Sequence, residues 1–124
     1  MSSPNIVNVS SIVGLTTYFS LADTSETTIL SNTGGSGTVY KVNSIIVAND
    51  DGTNAADITL LYKNASGGGG TGYKLASTVS VAADSVLVAL DRSSSIYLEE
   101  NRSLTAQASA GGDLDVICSY EVIS

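Results

Sequence analysis

The C-terminal run Leu114 to Val122 alternates with a period of two, and no other feature so narrows what the chain can fold into. Leu114, Val116, Cys118, Tyr120 and Val122 form one row, while Asp115, Ser119 and Glu121 form the other, with Ile117 the exception. The same alternation recurs in Leu104, Ala106, Ala108 against Thr105, Gln107, Ser109, and in Tyr73, Leu75, Val79, Val81 against Lys74, Thr78, Ser80. Side chains on a strand point alternately to opposite faces, so these runs predict half-buried β-strands. β-Branched residues dominate them, as strands prefer. Nine or ten short strands are expected, at roughly 5–13, 15–21, 26–31, 38–48, 56–63, 73–81, 85–91, 95–99, 103–110 and 113–123. Turn chemistry separates them: TGGSG at 33–37, Asp51-Gly52, and Gly111-Gly112 before Asp113. The stretch Ser80 to Leu90 lacks the 3.6-residue stripe a helix needs. The expected fold is all-β: a single-domain antiparallel β-sandwich, jelly-roll-like, over residues 1–124.

Hydrophobic residues make up 43% of the chain and charged residues 14%, which argues against disorder. The net charge of −7 comes from 12 acidic and 5 basic residues, and the basic ones are scattered. Phosphate binding works through clustered Lys and Arg, so neither nucleic acid nor an anionic membrane is an expected partner. No run approaches the ~18 apolar residues of a membrane span. The start, MSSPNIVNVSSIVG, has no basic segment or apolar core of a signal peptide, and the single Cys118 fits a reducing cytoplasm.

Two strands are apolar on both faces: Ile45, Ile46, Val47, and Val86 to Leu90. Either a neighbouring subunit covers the outer face or a loop caps a central strand. Ile45, Val47, Leu87 and Ala89 are the interface candidates, and the expectation is a homo-oligomer, a trimer before other numbers, or a monomer that orders only on a particle. Residues 1–13 read either as an ordinary first strand or as an arm pairing with a neighbour's sheet edge.

The segment NDDGTNAAD gathers Asp50, Asp51 and Asp57 as candidate metal ligands. An EF-hand register with Gly52 at position 6 puts Val47 and Ile58 where oxygen ligands belong, so that motif fails. The simpler reading is a turn, because Asn and Asp bond to their own backbone there. ASGGGGTG at 65–72 reads as a flexible hairpin tip, since it lacks the Gly-Lys-Ser/Thr ending of a phosphate loop. Glu99 and Glu100 point to opposite faces of a strand, and Asp113 and Asp115 read as a solvated row. The chain has no histidine, which removes the usual general base and zinc ligand. Cys118 sits on the apolar row and reads as a small core residue. No catalytic residue, cofactor or enzymatic activity is expected.

The segment IYLEENRSLTAQAS resembles the strand–turn–strand of small jelly-roll modules in tailed-phage particles. The ending DLDVICSYEVIS, the middle KVNSIIVANDDGTNAADITLLYK and the opening NIVNVSSIVG are similar to virion structural proteins of cyanophages and related tailed phages. The resemblance implies a non-enzymatic capsid decoration (cement) protein located on the virion. The major capsid protein or other virion proteins would be its partners; a neck, tail or fibre-base component is the alternative. The rival from another class is a carbohydrate-binding jelly roll. It would use exposed aromatic residues, with Tyr18-Phe19 and Tyr97 as candidates.

Overall fold

A computed structural model describes residues 7–124 of the chain. Nine strands run in the order β1 (Ile12–Ser20), β2 (Thr27–Asn32), β3 (Val39–Asn49), β4 (Ala56–Lys63), β5 (Gly72–Val81), β6 (Val86–Leu90), β7 (Ile96–Leu98), β8 (Arg102–Ala108) and β9 (Leu114–Ile123). The described residues hold two short 3-10 turns, at Ser66–Gly68 and Arg92–Ser94, and no α-helix.

The strands form two antiparallel sheets. Sheet A has the order β1-β9-β3-β6, with β7 beside β6 on β3; sheet B has the order β2-β8-β4-β5. The chain passes from sheet to sheet at nearly every connection, which is the double Greek key of a jelly roll. The expected antiparallel β-sandwich of jelly-roll type is what the chain forms.

The alternating rows meet between the sheets. Sheet A contributes Val42, Ile45, Val47, Leu98, Leu114, Val116 and Cys118 to the core; sheet B contributes Leu30, Ile58, Leu60, Val81, Leu104 and Ala106. Each such Val, Leu or Ile is worth about 1.5–3 kcal/mol on burial. Two buried asparagines fasten the ends of strands. Asn32, last in β2, donates to the carbonyls of Thr38 and Leu98 at 3.0 Å each. Asn49, last in β3, donates to those of Asn54 (3.0 Å) and Val81 (2.9 Å). Each side chain satisfies one loop carbonyl and one strand-end carbonyl.

Two sequence expectations change. The strands expected at 5–13 and 15–21 are one strand, β1, because Gly14 stays in continuous register opposite Glu121. Of the proposed first strand or arm at 1–13, residues 1–6 lie outside the described residues, and 7–11 precede β1. The glycine run at 65–72 is pinned. Gly67 and Gly68 donate backbone N–H bonds to Ser31 Oγ (2.8 Å) and Ser103 Oγ (3.0 Å), and Ser103 Oγ donates to the Ala65 carbonyl at 2.7 Å. Gly68 sits at φ +78, where a Cβ would run into Thr28 Oγ1. The glycines therefore permit a close approach of backbone to sheet.

Candidate functional site

The acidic segment forms a turn. Asp51 accepts the backbone N–H groups of Thr53 (2.8 Å) and Asn54 (3.2 Å), while Asn49 Oδ1 accepts that of Asp51 at 2.9 Å. Those donors, Thr53 first, hold the Asp51 carboxyl below the usual range. Asp113 moves the other way, raised by desolvation first and then by the charges of Asp51 and Asp50. Asp57 lies apart on β4, its N–H bonded to Ser109 Oγ at 2.8 Å. Among the described residues no group of three or more His, Cys, Asp or Glu is gathered to hold a metal ion.

Cys118 is enclosed in the core, and burial pushes its thiol up to about 12. It is therefore protonated at neutral pH and walled off from solvent. Tyr62 reaches between the sheets to donate to the Tyr97 carbonyl at 2.9 Å. Tyr40 and Tyr120 pack ring to ring on sheet A, centroids 5.4 Å apart. Tyr18 and Tyr97 are exposed but lie on opposite edges of sheet A, three strand spacings across and four residues along the strands, or about 20 Å apart, so they do not converge on one ligand.

The two outer faces of the sandwich differ. On sheet B the outward row holds Thr28, Ser31, Ser103, Thr105, Gln107, Thr59 and Lys63, with Leu61 half-buried among them opposite Thr105. The glycine loop lies over β2 and β8 and buries Ser103. Lys63 Nζ pairs with Glu26 Oε2 at 3.1 Å beside Thr105. The Thr105 hydroxyl first, and Lys63 in addition, lower the Glu26 pKa against the opposing effect of burial. The chain thus covers the β2–β8 part of this face with its own loop and leaves a mostly polar surface over β4 and β5, with Gln107 exposed beside Thr59.

Sheet A is left open. The register places Tyr18 opposite Ile117, Ile117 opposite Ile46, and Ile46 opposite Val88. These four residues form an apolar stripe across β1, β9, β3 and β6, about 14 Å wide. Tyr18 is 77% exposed, Val88 56% and Ile117 39%. Val86, 60% exposed, lies opposite Ala48 and extends the patch. Thr16, Ser119 and Ser44 border it on one side, Ser20 and Asp115 on the other.

The interface candidates are placed differently by this register. Ile45 and Val47 are fully buried between the sheets, and Leu87 and Ala89 are half-buried against the core. The outward apolar residues of the same two strands include Ile46, Ala48, Val86 and Val88. A bulge between Ile45 and Ile46 in the pairing with β6 sets which residues of Val86–Leu90 face out. Ile117, the apolar exception in its row, was the visible sign of this face.

No family model matches the chain, and no curated protein matches it. Solved structures do. One is a chain described with the words "Bacillus endospore appendages form a novel family of disulfide-linked pili". It superposes with a TM-score of 0.54 at 19% sequence identity, covering 92% of this chain and 88% of that one. The likeness is one of fold, and it spans nearly the whole sandwich.

Proposed function

We propose that this chain is a non-enzymatic structural subunit that works by burying the outer face of sheet A against another protein in a larger assembly. The stripe Tyr18–Ile117–Ile46–Val88 carries this reading, because it presents contiguous hydrocarbon, while the opposite face is mostly polar and partly covered by the chain's own loop. A few hundred Å² of apolar area at ~25 cal/mol per Å² gives roughly 5–10 kcal/mol. Association costs about 4–15 kcal/mol, so one contact holds weakly and a repeated lattice holds well.

The assembly that the sequence resemblance favours is a tailed-phage virion, with this chain as a decoration subunit on the capsid and the major capsid protein as partner. The fold likeness to a pilus chain favours a second reading, a filament subunit. In a filament this chain would associate without disulfides, because its single cysteine, Cys118, is buried.

Co-sedimentation with particles lacking the chain tests the first reading, and electron microscopy of the concentrated protein tests the second. Val88→Asp and Ile117→Asp place a charge on the stripe without touching the core. Both should reduce incorporation at least tenfold at an unchanged melting temperature. Undiminished incorporation of both variants would refute the docking face.

A further inference from the structure

We propose that two copies of this chain pair through their β1 edges, antiparallel and centred on Thr16, to join their A sheets into one. Three of the four sheet edges are guarded. β5 breaks register twice against β4 and holds Thr78 at φ +46. β2 is six residues long with a register break after Thr28, and β6 is five residues long with a break against β3. Short, bulged strands resist edge pairing. β1 has none of these devices. It runs nine residues in unbroken register with β9, and IVGLTTYFS contains no charge and no proline. A chain of net charge −7 thus presents its own copy with a neutral edge.

The hydrogen-bonding pattern shows which groups are free. Ser11 and Ser124 exchange both backbone bonds, at 3.0 and 2.9 Å, and Leu21 donates to Leu114 at 2.9 Å. Antiparallel pairs alternate, so the odd-numbered residues between them bond to β9. Ile12, Gly14, Thr16, Tyr18 and Ser20 therefore point their N–H and C=O groups away from the sheet. Among the described residues, no hydrogen bond engages these groups.

Centring a two-fold axis on Thr16 satisfies all five. Thr16 meets Thr16 of the second copy, Gly14 meets Tyr18, and Ile12 meets Ser20, with the last two pairs occurring twice. Five such pairs exchange two bonds each. The side chains fit as well. Nothing lies within 4 Å of the Cβ position of Gly14, and Tyr18 is free to lie over that gap in the other copy. On the inner side Val13 meets Phe19 and Leu15 meets Thr17. This covers Val13 and Leu15, which are 48% and 45% exposed in the single chain. The interface is isologous and closes at two copies. Its area is small, so the dimer should be reversible, with a dissociation constant in the micromolar range.

The test combines sedimentation with cross-linking on the full chain. Thr16→Pro removes an N–H that the single chain does not use, and edge strands tolerate proline. It should weaken the dimer about tenfold or more and leave the fold intact. Thr16→Cys should form a disulfide-linked dimer on mild oxidation, since Cα atoms of such a pair lie about 5.5 Å apart. Gly14→Cys alone should not cross-link, whereas a mixture of Gly14→Cys with Tyr18→Cys should. The edge pairing is overturned if Thr16→Cys reacts with a thiol reagent yet does not cross-link. It is equally overturned if Gly14→Cys cross-links alone, or if a dimer survives Thr16→Pro but not Val88→Asp. That last result would keep the docking face and reject the edge.

Discussion

Substituting the glycines of the 65–72 loop one at a time measures whether that loop is docked. Gly67 and Gly68 both have positive φ, +69 and +78, so alanine at either position incurs the left-handed penalty of about 1–2 kcal/mol. Part of this is returned through the stiffer unfolded chain, by roughly 0.4–1 kcal/mol. Gly67 has nothing within 4 Å of its Cβ position, so its cost stops near 1 kcal/mol. Gly68 faces Thr28 Oγ1 and, at 3.4 Å, Thr105 Cγ2. A methyl there pushes the loop off sheet B and strains the bonds to Ser31 and Ser103. Each is worth about 1 kcal/mol, so the total reaches roughly 2–4 kcal/mol. For a domain of this length the corresponding falls in Tm are about 3–5 °C for Gly67→Ala and about 8–15 °C for Gly68→Ala. Thermal and urea unfolding followed by circular dichroism resolve that gap. Equal losses for the two variants, or two losses near zero, would refute the docked loop.

Cys118 should resist thiol reagents in the native protein at neutral pH and react at once in denaturant; rapid native labelling would contradict the β9 register. Its folded pKa, about 12, lies above the unfolded value near 9, so the native state favours the neutral thiol. The stabilisation is complete below pH ~9 and is lost as pH rises toward 12, which alkaline urea titrations of wild type and Cys118→Ala would reveal. At the acid end Glu26, Asp51 and Asp91 have lowered pKa values, Asp91 chiefly through the hydroxyls of Ser93 and Ser94. Their contribution is present above the ordinary carboxylate range and disappears as pH falls through it. Unfolding below pH ~4 should therefore shift toward neutral pH in Glu26→Gln and Asp91→Asn.

The strands were legible because alternation and turn chemistry agree along most of the chain. β4 spans the expected 56–63, and β3 and β9 begin within a residue of expectation. Gly14 misled because glycine usually punctuates a strand, whereas here it lies in an edge strand with open space beside it. The glycine loop misled for a related reason: flexibility in sequence became close packing once Ser31 and Ser103 offered partners. The apolar stripe was only half legible. The doubly apolar runs and the odd Ile117 announced an uncovered face. Which residues form it depends on register across four strands far apart in sequence, and on the bulge beside Ile45. The carboxylates of NDDGTNAAD are close in sequence, but the turn gives Asp51 to backbone donors and β4 carries Asp57 away.

The central claim is that sheet A, and not sheet B, is the working surface. Cryo-electron microscopy of an assembly containing this chain tests it most directly. Tyr18, Ile46, Val88 and Ile117 should be buried against a neighbouring protein, with the glycine loop on sheet B facing solvent. Density showing the neighbour on the glycine loop and water over the stripe would contradict it.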